Sequence, residues 1–403
     1  MALAVPSPDT TGKDSTMPVR NRIAELHDEI AAWRRDLHQH PEIGFDTHRT
    51  AAFVAERLRA FGCDAVHEGI ARAGVVAVIH GRSTGSGRVI GLRADMDALP
   101  MTERTGLPHA SRTPGAMHAC GHDGHTAMLL GAARYLAETR NFDGTVVVLF
   151  QPAEEGGGGG RVMCEEGVMD RFGVQEVYGM HNWPGVPVGR FAIRPGPFFA
   201  AADQFTITVA GRGAHAAKPH EGIDPVLVAS HIVVALQSVA ARNADPVKEL
   251  VVSVTAVQSS SMAHNVIPAE VELRGTVRSL DEGMRDMAEA RLTALARGIA
   301  ESFGATASVD YQRGYPVMVN AEAETLHAAE AARRVSGDCA EAPLVMGAED
   351  FAYMLNARPG AYILVGNGDS AGVHHPAYDF NDDAIPAGAS WWAEIAESRL
   401  AAR

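Results

Sequence analysis

Residues 145–160 read TVVVLFQPAEEGGGGG. A short unbroken apolar run bounded by turn residues has the pattern of a strand buried on both faces. Proline, two adjacent glutamates and five glycines then end it. In an open α/β sheet, ligands bind beyond the carboxyl ends of the strands. The stretch therefore places Glu154 and Glu155 where a functional site belongs, and the glycines let the backbone turn tightly beside them. A phosphate-cradling loop is the rival reading of the glycines. It fails because no Lys-Ser/Thr follows and the two carboxylates would repel phosphate.

Outward from this stretch, apolar β-type runs alternate with helical periodicity. VVAVIH (75–80), RVIGLR (88–93), VQEVYGM (174–180) and AYILVG (361–366) read as strands. Residues 20–39, 47–61, 125–140 and 321–335 carry helical spacing, with Thr47 as an N-cap for the second. Such alternation predicts an α/β sheet with helices on both faces. The pattern changes near Pro195-Gly196-Pro197. Strand 203–210, helix 223–242, strands 249–258 and 269–279, helix 281–303 and strand 306–313 follow, a βαββαβ order of the ferredoxin-like type. The sequence thus predicts two domains. A catalytic domain spans 20–196 and 315–403, and an inserted lid spans 197–314. Residues 1–19 read as a flexible polar arm, and Met17 is an alternative start.

Composition narrows the function. The chain has 403 residues, 46% hydrophobic and 21% charged, and a formal net charge of −14. That balance argues against nucleic acid and anionic membrane as partners. No apolar run reaches the roughly 20 residues of a bilayer span, and the first residues lack a signal-peptide core. The four cysteines, Cys63, Cys120, Cys164 and Cys339, are scattered and read as free thiols in a reducing cytoplasm.

Chemistry-bearing residues gather at the predicted strand ends. Asp95 and Asp97 follow RVIGLR, Glu154 and Glu155 follow TVVVLFQ, and His181 follows VQEVYGM. His374 and His375 lie in the loop after AYILVG, and MHACGHDGH brings Cys120, His122, Asp123 and His125 to the start of a helix. Imidazole, carboxylate and thiolate together suit zinc, manganese, cobalt or nickel. The donors outnumber one tetrahedral sphere, so a pair of ions ~3.5–4 Å apart is expected. One glutamate can then face a metal while its neighbour faces the attacking water.

Nine segments resemble one family: RRDLHQHPEIGF (34–45), ADMDALPM (94–101), MHACGHDGHTAMLLGAA (117–133), QPAEEGGGG (151–159), GMHNWP (179–184), GRGAHAAKPHEGIDPV (211–226), HNVIP (264–268), GAEDFAYM (347–354) and HHPAYDFND (374–382). The chain is similar, from about residue 20 onward, to the metal-dependent amidohydrolase and aminoacylase branch of the co-catalytic metallopeptidases, which includes hippurate hydrolase and the hydrolases of auxin–amino acid conjugates.

The resemblance implies roles for particular residues. Cys120, His122, Glu155, His181 and His374 resemble the ligands of two divalent ions, with Cys120 bridging and His374 chosen over His375. Glu154 resembles the general base, with Asp97 and Asp95 orienting ligands from behind. In the lid, His215 resembles the group that stabilises the oxyanion, while Asn265 and Arg278 resemble the holders of the substrate carboxylate. The implied activity is hydrolysis of N-acyl amino acids, or of dipeptides by a dipeptidase or carboxypeptidase on the same site. A homodimer or homotetramer built through the lid is also implied. Thr47 departs from the family, which usually carries a second acidic residue there. Two rival functions remain from the residues themselves. One is a cysteine-nucleophile hydrolase using Cys120 with His118 or His122, which leaves the glutamate pair and His374 without a task. The other is a non-catalytic metal-binding scaffold, which leaves Glu154 without one.

Overall fold

The structure is a computed structural model that describes residues 20–401. The expected arm at 1–19 and the last two residues of the expected catalytic domain lie outside the described residues. The larger sheet has eight strands. In spatial order they are Ala65–Ile70, Gly74–His80, Thr145–Gln151, Val89–Asp95, Glu176–Pro184, Gly360–Gly368, Phe191–Ile193 and Ala340–Glu341. The four central strands, Thr145–Gln151 through Gly360–Gly368, are mutually parallel, so their carboxyl ends open on one side.

The opening stretch explains why this sheet is buried on both faces. Val146, Val148 and Phe150 join one apolar core, while Val147 and Leu149 join the other. The first core lies under the helices His27–Gln39, His48–Ala60, His122–Thr139, Glu322–Ser336 and Ile385–Arg399. The second lies under Gly159–Glu165, Val168–Arg171 and Phe351–Ala357. Full burial of each such side chain contributes roughly 1.5–3 kcal/mol, which fits the unbroken apolar character of residues 146–150.

Chain order fixes where the site falls. From Val89–Asp95 the chain crosses through His122–Thr139 to Thr145–Gln151 on one side, then returns to Glu176–Pro184 on the other. The crevice where the order reverses is the ligand position of doubly wound sheets.

The smaller sheet has the order Leu250–Ser259, Glu270–Ser279, Ala201–Ala210, Thr306–Arg313, all pairs antiparallel. Helices Pro225–Ser238 and Glu282–Ser302 cover one face around a separate apolar core. This is the ferredoxin-like arrangement, and it shares no strand with the large sheet.

Several local expectations need correction. Helix 20–39 is two helices, Asn21–Glu25 and His27–Gln39. Thr47 stands at the N-cap, but its hydroxyl accepts no cap bond and is buried without a partner among the described residues. Strand Glu176–Pro184 runs on past Met180, so His181 lies within a strand. Its pairing with Gly360–Gly368, with Leu364 opposite His181, carries the ladder that far. Finally, Pro225–Asn243 is long and apolar enough, by length and composition, to cross a bilayer. Its Val228, Ala229, Ile232, Leu236 and Val239 instead pack on the lid core.

Candidate metal centre

The donors converge from four segments of the chain. Cys120 precedes helix His122–Thr139, and Gly121 caps that helix at φ +86°. A Cβ at Gly121 would lie 2.3 Å from the Asn182 amide and 2.5 Å from the Tyr378 hydroxyl, so only glycine fits there. The turn brings Cys120 Sγ to 3.3 Å from His181 Nε2. His374 reaches across from the last loop, its Nε2 3.1 Å from Glu155 Oε1. His374 itself has φ +64°, and its N–H donates to the Ala119 carbonyl at 2.7 Å, which locks the loop against the cysteine turn.

The histidines are aimed by bonds on their far side. The Nδ1 of His122 lies 2.9 Å from the Asp97 carbonyl, and that of His181 2.6 Å from the Asn182 carbonyl. A carbonyl can only accept, so each Nδ1 carries a proton, which leaves Nε2 as the ring atom turned to the cluster. His122 Nε2 is buried with no hydrogen-bond partner among the described residues, and so is Glu155 Oε1, whose approach to His374 lacks hydrogen-bond geometry. Donor atoms of Cys120, His122 and His181 lie within 4.8 Å of one another, as do those of Cys120, Glu155 and His374, and those of His122, Glu154 and Glu155. Cys120, His122 and Glu155 each belong to two of these groups. Unpaired buried nitrogen and oxygen beside a thiol fit a divalent cation, because burying them bare would cost roughly 1–3 kcal/mol each.

Asp97 stands behind His122 and behind both glutamates. Its backbone carbonyl orients His122, while its carboxylate accepts from the backbone N–H of Glu154 at 2.9 Å and of Glu155 at 3.1 Å. Asp95 accepts from His125 Nδ1 at 2.6 Å and from Arg93 at 2.7 Å, and stands 3.9 Å from His122 Nε2. His125 also accepts from the Asn182 N–H at 2.9 Å, so both of its nitrogens are used and neither is free to ligate.

The two glutamates differ in charge environment. Burial, then Glu349, Glu155 and Asp350, push the Glu154 carboxyl well above the ordinary range. Burial also opposes ionisation of Glu155, but His374 and His122 outweigh it and pull its pKa down. Adjacent carboxyls pushed apart in this way are suited to different tasks.

Both open on a cleft of about 560 Å³, with Cys120, His181 and His374 on one wall and Arg278 of the lid on the other. Arg278 is half-buried and makes no ion pair or hydrogen bond among the described residues. Burial lowers its pKa, and the attraction of Asp203, which opposes this, is shared. Asp203 is held by Arg285 at 2.6 Å and by the Tyr311 hydroxyl at 2.8 Å. The other lid residues lie elsewhere. His215 and Asn265 are exposed on the separate pairing of Ala214–His215 with Val266–Ile267, and neither lines the cleft.

A largely buried cluster of nitrogen, oxygen and sulfur donors, with His374 at its exposed rim, opens at the crevice of an α/β sheet and fits a metal-dependent hydrolase. Residues 91–398 match the model of peptidase family M20/M25/M40. The chain is 39% identical to a hippurate hydrolase of Campylobacter jejuni over 378 residues, 93% of this chain and 97% of that one. It is 39% identical to a thermostable carboxypeptidase of Saccharolobus solfataricus over 359 residues, 88% and 89% of the two chains. A crystal structure of a dinuclear metal-binding M20 peptidase from Bacillus subtilis superposes with a TM-score of 0.82 at 36% identity, covering 94% of this chain and 99% of that one. The protein belongs to this family and is a metal-dependent amidohydrolase.

Sequence reasoning missed Tyr315, Asn182, Glu349 and Asp350, all of which touch the site's framework. The GAEDF segment was the available signal for the two acids.

Proposed function

We propose that the protein hydrolyses the amide bond of N-acyl amino acids, releasing a carboxylic acid and a free amino acid. The observation that carries this reading is Arg278, an unpaired half-buried guanidinium in the same cleft as the donor cluster. A guanidinium without a protein partner suits the bidentate grip of a substrate carboxylate.

Cys120, His122, Glu155, His181 and His374 would hold two divalent cations, zinc, manganese, cobalt or nickel. When bound, such ions polarise the amide carbonyl and make water a nucleophile near neutral pH. Glu154 takes the proton of the attacking water and passes it to the nitrogen as the C–N bond breaks. Asp97 fixes the backbone of both glutamates, and Asp95 fixes His125 behind them. His215 meets the developing oxyanion and Asn265 the carboxylate, once the lid has closed on the cleft.

The lid also supports self-association. Its edge strand Leu250–Ser259 exposes Val251 and Val257, and its helix Pro225–Ser238 exposes Leu227 and Val234. Exposed apolar side chains beside an open strand edge favour pairing with a second copy as a homodimer or homotetramer. All four cysteines are free thiols, which supports a cytoplasmic enzyme.

A dipeptidase or carboxypeptidase is the second reading, favoured by the likeness to the carboxypeptidase and by a cleft roomy enough for an amino-acid residue in place of the acyl group. The test is a panel of N-acyl amino acids, their amides and dipeptides, each with divalent ions added to stripped enzyme. Fastest turnover of acylated amino acids bearing a free carboxylate is expected. Preference for dipeptides would select the second reading, and no cleavage of either would refute both.

A further inference from the structure

We infer that Tyr315 is a positioning residue that couples the hinge of the lid to the turn carrying Glu154. The inference rests on the role proposed above for Glu154 as general base.

The chain passes between the two sheets twice. It enters the small sheet at Ala201–Ala210 and leaves through Gly314 and Tyr315 after Thr306–Arg313. The passages cross in contact. A Cβ at Gly314 would lie 2.2 Å from the Ala202 carbonyl, and Ala202 N–H donates to the Tyr315 carbonyl at 3.0 Å. Gly314 is held by two groups of the small domain and one of the large. Its N–H donates to the Asp203 carboxylate at 3.0 Å and its carbonyl accepts from Arg285 at 3.2 Å, while the Tyr353 hydroxyl, on helix Phe351–Ala357 of the large domain, donates to the same carbonyl at 3.2 Å. A rotation of the lid about these passages therefore moves Tyr315.

The Tyr315 hydroxyl spans the turn that follows strand Thr145–Gln151. It donates to the Glu154 carbonyl at 2.5 Å and accepts from the Gly158 N–H at 3.1 Å. The opposite side of the same residue belongs to the large sheet, since Glu154 N–H donates to Asp97. Glu154 is thus gripped at its N–H from the catalytic sheet and at its carbonyl from the hinge. The residue before it, Ala153, has φ +55°, a left-handed conformation that an alanine adopts only when its surroundings impose it. Tyr315 also lines the cleft, so its ring could serve as a wall for substrate. The hydroxyl, turned onto the backbone, has a separate task. It carries the lid's orientation into the direction of the Glu154 carboxyl.

Tyr315→Phe keeps the ring and removes the hydroxyl. Kinetics would be measured on an N-acyl amino acid that the wild type cleaves and on its carboxyl amide, which lacks the charge that engages Arg278. The expected result is a kcat lower by roughly 10- to 100-fold on the acid, the scale of a misaligned catalytic group. KM and metal content should stay unchanged, and the loss should be smaller on the amide. Tyr353→Phe, which loosens Gly314 from outside the turn, should lower kcat less, and should add nothing in the Tyr315→Phe background. Unchanged kcat, a change in KM alone, loss of metal, or equal losses on acid and amide would each overturn the coupling. If Tyr315→Phe does not fold, Tyr353→Phe alone must lower kcat at constant KM, and failure to do so overturns it. A wild type inert toward every acylated amino acid would instead defeat the functional reading, and it is seen before any variant is made.

Discussion

The carboxyl ends of the large sheet and the tip of the lid both carry histidines of interest, and they are built in opposite ways. His122 and His181 are buried, and each is held by a backbone carbonyl at Nδ1. His215 is exposed, and its Nδ1 accepts only from the nearby Ala217 N–H. Groups that would hold cations need fixed directions before anything binds, and His122 and His181 are set deep in the fold. A group proposed to meet the substrate late needs freedom to travel, and His215 stands on a small, exposed pairing of strands. The difference separates what the fold preorganises from what closure must deliver.

The sharpest way to break this contrast is at the glutamate pair. Glu154→Gln should retain metal and lose roughly 10²- to 10⁴-fold in kcat, because an amide cannot take the proton. Glu155→Gln should lose metal first and activity as a consequence. Elemental analysis beside kinetics distinguishes them, and rescue of both by excess metal would erase the division of roles.

His215→Ala probes the delivered side. It should lower kcat by roughly 10²- to 10³-fold, the scale for removal of one oxyanion donor, with metal content unaltered. A variant with full activity would place the lid tip outside the chemistry.

Arg278→Ala should lose ~1.5–3 kcal/mol in kcat/KM on an acylated amino acid and little on its amide, since the charged contact would already be missing. Equal losses on both would mean that Arg278 does not read the carboxylate.

A smaller effect concerns stability. His38 is buried 2.8 Å from Asp123 and 3.4 Å from Glu103. Burial opposes its charge, but these carboxylates outweigh it and push its pKa up to about 9. The folded state therefore binds a proton more tightly than the unfolded chain. That contribution is complete below an unfolded pKa of about 6.5 and is lost as pH rises through about 9. Thermal unfolding from pH 6 to 10 should show the wild type losing on the order of 2–3 kcal/mol more than His38→Gln. Parallel profiles would remove the pair from the stability account.

Much of this was legible in the sequence because the signals were local. Strands 145–151 and 306–313 end where their residues predicted, the first as an unbroken apolar run and the second beside a helix of clear period. Strand Ala65–Ile70 was not legible, since AVHEGI mixes charge with a glycine at a register shift on the sheet edge. Helix Ile385–Arg399 was hidden by a proline in its first turn and a run of small residues. In the site, donor types sat in contiguous motifs and could be named. What holds them could not. The Tyr315 hydroxyl meets the Glu154 carbonyl across 161 residues of chain, and the Asp350 N–H approaches the Glu154 carboxylate across 196, contacts that only the fold creates. The exposure of His215 and Asn265 was equally invisible, because a motif states which residue is present and not which surface it faces.

The central claim is that the donor cluster would hold two cations. Stripped enzyme titrated with one divalent metal, followed by elemental analysis and by activity at every step, tests it directly. The account predicts a plateau of about two ions per chain, with activity still rising as the second is taken up. Full activity at one ion per chain, with no further uptake, would contradict it.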